Sequence, residues 1–218
     1  MSGEIKAALA QAYDRNARER DENDIADWKH TERADFCAML AKEQKKTLLE
    51  IGAGPGKDSR YFCDRGLHVV AADLSGEMAR LCRRKELHTC VVDFYNVPFP
   101  DASFDAVWAL NTLLHVPKRD LPQVLRNIRA VLKPDGLFYM GVYGGIAQEG
   151  IWDEDEYTPK RFFALYPDEV IRAVVSRFFA LESFEAIQCG GDEIHFQGII
   201  LREPGRPTGA CHPVATDK

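Results

Sequence analysis

Leu48-Leu49-Glu50-Ile51-Gly52-Ala53-Gly54-Pro55-Gly56-Lys57 is a short apolar run that breaks into three alternating glycines and then into a helical pattern. That order reads as strand, tight turn and helix. Glycine admits positive φ and lets backbone approach a ligand where a Cβ would clash, and the helix start that follows offers unpaired N–H groups. The stretch is therefore a binding edge for a nucleotide-like ligand. Its strand covers Thr47 to Ile51, and its helix runs from about Lys57 to Arg65 and ends at Gly66.

The next strand, Leu67 to Ala72, ends in Asp73, 21 positions after Gly52. A carboxylate at that distance, at the carboxyl end of the neighbouring parallel strand, is placed to grip a ribose diol. The dinucleotide fingerprint is G-x-G-x-x-G, whereas the spacing here is G-x-G-x-G with Glu50 two residues before the first glycine. Glu50 would repel a pyrophosphate and accept an amino or cationic group. The run resembles motif I, E-x-G-x-G-x-G, of the class I S-adenosylmethionine-dependent methyltransferases. Other stretches carry the same resemblance in the same order. Asp93-Phe94 follows a third strand at His88 to Val92, and Val97-Pro98-Phe99-Pro100-Asp101-Ala102-Ser103-Phe104-Asp105-Ala106-Val107 resembles the L-P-F-x-D-x-S-F-D-x-V stretch of the ubiquinone-methyltransferase-like group. Leu132-Lys133-Pro134-Asp135-Gly136 resembles its L-K-P-G-G turn, with Asp135 in place of a glycine, and Tyr13-Asp14-x-x-Ala17 resembles the Y-D-x-x-A of N-terminal helices that lie over the cofactor.

The rest of the chain is read from periodicity. Ile5, Leu9 and Tyr13 mark a first amphipathic helix, Arg15 to Asp24 a polar break, and Asn23-Asp24 a cap for a second helix carrying Ile25, Trp28, Phe36, Met39 and Leu40. Ser75 caps a helix whose Met78, Leu81 and Cys82 face the core. Phe104 to Leu110 is a buried strand, and Asn111-Thr112-Leu113-Leu114-His115 lies beyond its carboxyl end, where an open α/β sheet places ligands. Pro117 to Leu132 is a helix, Leu137 to Tyr143 a strand, and residues 144–163 an irregular, acidic and aromatic loop with Glu149, Asp153, Glu154, Asp155, Glu156, Trp152 and Tyr157. A helix starting at Pro167 precedes two strands, Leu181 to Ile187 and Glu193 to Leu201. The turn Cys189-Gly190-Gly191-Asp192 between them is too short for a parallel crossover, so they pair antiparallel.

Composition narrows the class. The chain has 218 residues, 45% hydrophobic and 28% charged, which fits one α/β domain with a single core. No run reaches the roughly 18 apolar residues of a membrane helix and no signal peptide is evident, so a cytoplasmic protein is expected. Six scattered cysteines without a C-x-x-C read as reduced thiols packed as small hydrophobes. A net charge of −6 opposes a large nucleic-acid partner, and the histidines lack metal-ligand spacing.

The resemblance spans roughly residues 13–201 and implies an α/β fold: a Rossmann-like seven-stranded, mostly parallel sheet with a C-terminal antiparallel hairpin and helices on both faces. The expected organisation is one methyltransferase domain over 1–202, with an N-terminal helical cap at 1–45, a substrate-side loop at 144–163 and a disordered tail at 203–218. The implied cofactor is S-adenosyl-L-methionine, leaving as S-adenosyl-L-homocysteine, with no metal. Gly52, Ala53 and Gly54 are assigned to its methionine portion, Asp73 to the ribose, Leu74 and Phe94 to the faces of adenine, and Asp93 to the adenine amino group. Glu50 and Asn111 complete the cofactor set. The implied reaction is in-line transfer of a methyl group to an N, O or C atom of a small-molecule acceptor in specialised metabolism, with alignment supplying much of the catalysis. His115 is the candidate base or else a polar cap on the following helix, and Tyr13 is either a second catalytic group or an anchor for its helix. Tyr13, Thr112, Tyr143, Trp152 and Tyr157 are assigned to the acceptor pocket, whose acidic loop would suit a cationic or aromatic acceptor. The alternatives are an RNA-nucleoside or protein methyltransferase, a non-catalytic cofactor-binding module and a nicotinamide dehydrogenase. Both a monomer and a homodimer remain open.

Overall fold

The computed structural model describes residues 2–189 and 193–205. Its main sheet has the order β3-β2-β1-β4-β5-β9-β8. The first five of these strands, β1 (Thr47–Ile51), β2 (His68–Asp73), β3 (Thr89–Val91), β4 (Phe104–Leu110) and β5 (Leu132–Gly144), pair in parallel. The last two, β8 (Ala180–Ile187) and β9 (His195–Arg202), close the edge, with β9 antiparallel to both β5 and β8. The expected seven-stranded sheet with a terminal antiparallel pair is thus the observed one. The turn residues Gly190, Gly191 and Asp192 lie outside the described residues.

Because successive strand residues point to opposite faces, each central strand feeds two cores. Val107 and Ala109 of β4, with Phe138 and Met140 of β5, pack beneath α6 (Leu121–Val131) and α7 (Asp168–Val175). Ala106, Trp108, Leu137 and Tyr139 face the other way, against Phe36 and Leu40 of α3 (Asp27–Lys42) and Phe62 of α4 (Lys57–Cys63). Trp108 stacks on Tyr139 at 4.0 Å between ring centres. Its indole N–H donates to Asp58 at 3.1 Å, and Arg33 of α3 closes the same buried carboxylate at 2.8 Å.

The N-terminal segment holds two corrections. After α1 (Gly3–Arg15), a further helix, α2 (Ala17–Glu22), occupies the expected polar break. Ala17 buries against Met78 and Leu81, and Arg18 pairs with Glu22 one turn on, so a polar sequence is held helical by one small contact and a local ion pair. Asn23 and Asp24 do not cap α3, which starts after Ala26 without a side-chain cap; the Asn23 carbonyl instead accepts from Lys57 Nζ. α1 is pinned to α5 (Gly76–Arg84) through Asp14, whose carboxylate accepts from Ser75 Oγ and from Glu77 N at 3.1 Å, while Ser75 caps Met78 N as the sequence suggests.

The segment 144–163 is not wholly irregular. β6 (Gln148–Ile151) and β7 (Phe162–Leu165) form a separate antiparallel pair, in which Phe162 and Ala164 bury against the main core and anchor the returning chain. Glu203, which composition assigns to the tail, is 4% exposed, accepts from Arg129 Nε at 3.0 Å and donates its N–H to Gly136. Residues 206–218 lie outside the described residues. Among the described residues no helix is long and apolar enough to cross a membrane.

Candidate active site

Parallel strands bring their carboxyl ends to one edge, and the order reverses between β1 and β4, which opens a crevice there. The glycine loop rises at that point. Gly52 N and Ala53 N both donate to the Ala72 carbonyl, at 2.8 and 3.0 Å, and fold the loop back beside β2. Gly52 and Gly54 take φ of 76° and 53°, values that favour glycine. A Cβ on Gly54 would meet no atom within 4 Å, whereas one on Gly52 would fall 2.2 Å from Thr112 Oγ1. Gly54 thus leaves its space to the crevice, and Gly52 gives its space to the chain beyond β4.

A cavity of about 540 Å³ lies here, lined by Gly52, Gly54, Asp73, Leu74, Phe94, Asn111, Thr112, Tyr13 and His115, among others. A second, of about 900 Å³, shares Arg20, Gly52, Gly54, Leu110 and Asn111 with it and adds Glu50 and Ala53. The two form one trough across the glycine loop. Asn111 sits in it with φ of 54° and its backbone N–H on the Gly141 carbonyl, and its buried Oδ1 has no hydrogen-bond partner among the described residues. A buried acceptor of this kind asks for a donor from a ligand.

Two carboxylates of the trough are perturbed. Asp73 accepts from Ser75 N at 2.8 Å and Gly54 N at 2.7 Å; burial nevertheless pushes its pKa up to about 6. Glu50 is 3% exposed and accepts from Ser59 Oγ. Burial, reinforced by the negative charges of Asp58 and Asp73, raises its carboxyl well above the usual range. Asp93 stands apart from the other sequence candidates: Lys6 of α1 donates to one of its oxygens and Tyr95 N to the other at 3.0 Å, while Phe94 beside it lines the cavity.

Tyr13 and His115, 102 positions apart, meet at this cavity with 2.7 Å between the hydroxyl and Nε2. His115 Nδ1 lies 2.7 Å from the Phe162 carbonyl, which can only accept, so Nδ1 carries the hydrogen and Nε2 accepts from the Tyr13 hydroxyl. Burial lowers the His115 pKa to about 3 and keeps the ring neutral. Burial likewise raises the Tyr13 phenol, while the cations of Arg161 and Arg20 pull it back. The Tyr13 hydroxyl is thus bonded to a neutral imidazole whose burial opposes a second proton.

Of the remaining acceptor-pocket candidates, Thr112 lines the first cavity. Tyr143, Trp152 and Tyr157 line a third of about 780 Å³, walled also by Phe163 and Arg161. Tyr157 lines both the second and third cavities and meets Tyr13 edge-on at 5.9 Å. Arg161 donates to Tyr13 at 3.2 Å and is fixed by Asp155 at 2.7 and 3.0 Å, so one acid of the loop is turned inward. Arg20 and Arg161 are the site residues that the sequence reading passed over. Arg20 lies on α2, in the stretch read from the sequence as a polar break, so its place at the site shows only once 17–22 is known to be helical. No group of three or more His, Cys, Asp or Glu side chains among the described residues is arranged to hold a metal ion.

Comparison with known proteins bears on this trough. A methyltransferase-domain family model matches residues 49–140. The chain is 33% identical over 138 residues to a malonyl-[acyl-carrier protein] O-methyltransferase of Pseudescherichia vulneris, covering 62% of this chain and 53% of that one. It is 31% identical over 179 residues to a demethylmenaquinone methyltransferase of Tropheryma whipplei, covering 80% of this chain and 67% of that one. The chain spans about half the length of several curated relatives that it matches. The Burkholderia thailandensis 1,6-didemethyltoxoflavin-N1-methyltransferase, solved with 1,6-didemethyltoxoflavin and S-adenosylhomocysteine, shares the fold at a TM-score of 0.71 and 20% identity, over 92% of this chain and 89% of that one. The chain belongs to the class I S-adenosylmethionine-dependent methyltransferases, in the ubiquinone-methyltransferase-like group.

Proposed function

We propose that the protein is an enzyme that transfers a methyl group from S-adenosylmethionine to a small-molecule acceptor. The cofactor, when bound, supplies an electrophilic sulfonium methyl for in-line displacement. The chain's part is to hold and align. The glycine loop takes the methionine portion, Asp73 the ribose, and Leu74 and Phe94 the faces of the adenine. The free Asn111 Oδ1 suits an amino-group donor, and Glu50 a cationic neighbour. Asp93 reaches the adenine amino group only by sharing its oxygens with Lys6 and Tyr95. The aromatic cavity of Tyr143, Trp152, Tyr157 and Phe163 suits the body of an acceptor. The acceptors for which the relatives are named differ widely, and they support the reaction class rather than one substrate.

The observation that carries this reading is the Tyr13–His115 hydrogen bond opening onto the cavity that also holds the glycine loop and Asp73. A polar pair beside the glycine loop supports an acceptor bound next to the cofactor. Calorimetric titration with S-adenosylmethionine, S-adenosylhomocysteine and NAD is the test, followed by a methyl-transfer screen over phenols and small amines. Binding of the first two and not of NAD is expected, with turnover falling about a hundredfold or more in Tyr13→Phe and His115→Gln. Binding of NAD alone would overturn the reading.

A further inference from the structure

Arg20 lines both the first and the second cavity, and its guanidinium is only partly engaged. Nη1 donates to the Tyr157 hydroxyl at 3.2 Å. Among the described residues neither Nη2 nor Nε has a hydrogen-bond partner, and Nε is buried. The Nε–Nη2 edge is the side of a guanidinium that grips a carboxylate through two parallel bonds. Arg161 uses that edge on Asp155, one bond to each oxygen, at 3.0 and 2.7 Å. Arg20 has no such counterpart among the described residues: Asp73 in the first cavity feels its charge but makes no ion pair with it. Lys29 of α3 lines the second cavity as well. Its ammonium has no hydrogen bond or ion pair among the described residues, only the face of Trp28 at 5.2 Å, and burial, with the charge of Arg20, lowers its pKa. Lys57, the other lysine there, is engaged by the Asn23 carbonyl. The same cavity also holds the opposite polarity, in the buried, unmatched Asn111 Oδ1 and the carboxyl of Glu50. Unmatched cations and an unmatched acceptor in one cavity are the complement of a zwitterion.

We propose that Arg20, with Lys29 as a second cation, takes the carboxylate of the cofactor's amino-acid end on its Nε–Nη2 edge, and that Tyr157 is the positioning residue that fixes this edge by holding Nη1. The inference rests on the proposed cofactor and deepens its placement. The ammonium of the amino-acid end goes to Asn111 Oδ1 and Glu50 and the carboxylate to the two cations, so the head is recognised by sign at both ends. Because Tyr157 also lines the third cavity, the cofactor's carboxylate is linked through Arg20 to a wall of the cavity proposed for the acceptor.

The test compares, by displacement titration on the full chain, S-adenosylhomocysteine with methylthioadenosine, which keeps the adenine, the ribose and the sulfur but lacks the amino-acid head. The parent is expected to prefer S-adenosylhomocysteine by about tenfold or more. Arg20→Met is expected to weaken S-adenosylhomocysteine roughly thirtyfold, the scale of hydrogen bonds to a charged group, and to leave methylthioadenosine within about twofold of the parent. Arg20→Lys keeps the charge and loses the paired edge, and is expected to recover part of the loss. Lys29→Met is expected to cost about fivefold and Tyr157→Phe about threefold, again for S-adenosylhomocysteine alone. Equal weakening of both ligands in Arg20→Met, or of neither, overturns the proposal. Should that variant not fold, an unchanged ratio of the two affinities in Arg20→Lys and Tyr157→Phe overturns it. A parent that binds the two ligands equally well overturns it too. Failure of the proposed function shows differently, as no binding of either ligand to the parent, and takes the carboxylate site with it.

Discussion

At the scale of single residues, two glycines of one loop do different work. Gly54 borders open trough, so Gly54→Ala costs the fold only the left-handed backbone penalty of about 1–2 kcal/mol and sets a methyl group in the trough. It is expected to keep most of its melting temperature and to lose cofactor binding in calorimetry. Gly52→Ala pays the same backbone penalty and also drives a Cβ into Thr112. It is expected to lower stability by a further ~1–3 kcal/mol in urea unfolding, besides losing binding. Equal stability losses in the two variants would show that the Thr112 contact does not govern the loop. The spacing of these glycines and of Asp73 is written in the sequence because it follows from backbone requirements. The partners of Tyr13 are not, because they come from Arg161 and His115, which lie far along the chain.

Among the elements, the N-terminal cap depends on one carboxylate. Asp14 accepts from Ser75 Oγ and from Glu77 N, and Ser75 in turn caps Met78 N, so α1 is held on the start of α5, next to Asp73. Lys6 on Asp93 and Lys85 on Asp21 add ion pairs at either side. Asp14→Ala is expected to cost about 1 kcal/mol, the scale of a lost helix cap. Backbone amides of α1 should then exchange faster than those of β1 and β4, and uniform protection across all three would contradict the latch. Helix periodicity finds α1 and α5 separately. It says nothing of their junction, and it misses α2, whose polar residues are helical by virtue of Ala17 buried on another helix.

Taken whole, the molecule hangs its cap and its sheet on a buried charge. Arg33 of α3, 6% exposed, closes on Asp58 of α4, 9% exposed, and Asp58 also accepts from Trp108 in the middle of the sheet. Removing only the cation leaves a carboxylate in a low-dielectric interior. Arg33→Met is therefore expected to destabilise by about 3–5 kcal/mol in urea or thermal unfolding. A loss below about 1 kcal/mol would mean that Trp108 and solvent satisfy Asp58 by themselves. Because α3 leads back through residues 23–26 to the second cavity, loosening it should also weaken cofactor binding.

Local chemistry, legible along the chain, accounts for part of this protein. The alternating glycines, the acid 21 positions on, the apolar strand after Phe104 and the short turn before the last strand specify the crevice and the terminal antiparallel pair, since each is a constraint on neighbouring backbone, while the seven-stranded sheet follows from the resemblance those motifs carry. Packing supplies the rest: Asp93 is shared with Lys6, Asp155 faces inward to Arg161, and Tyr13 stands between a neutral imidazole and two guanidinium groups. Those facts depend on which side chains the packing brings within hydrogen-bond reach and how far it removes them from water, and both are properties of the assembled core.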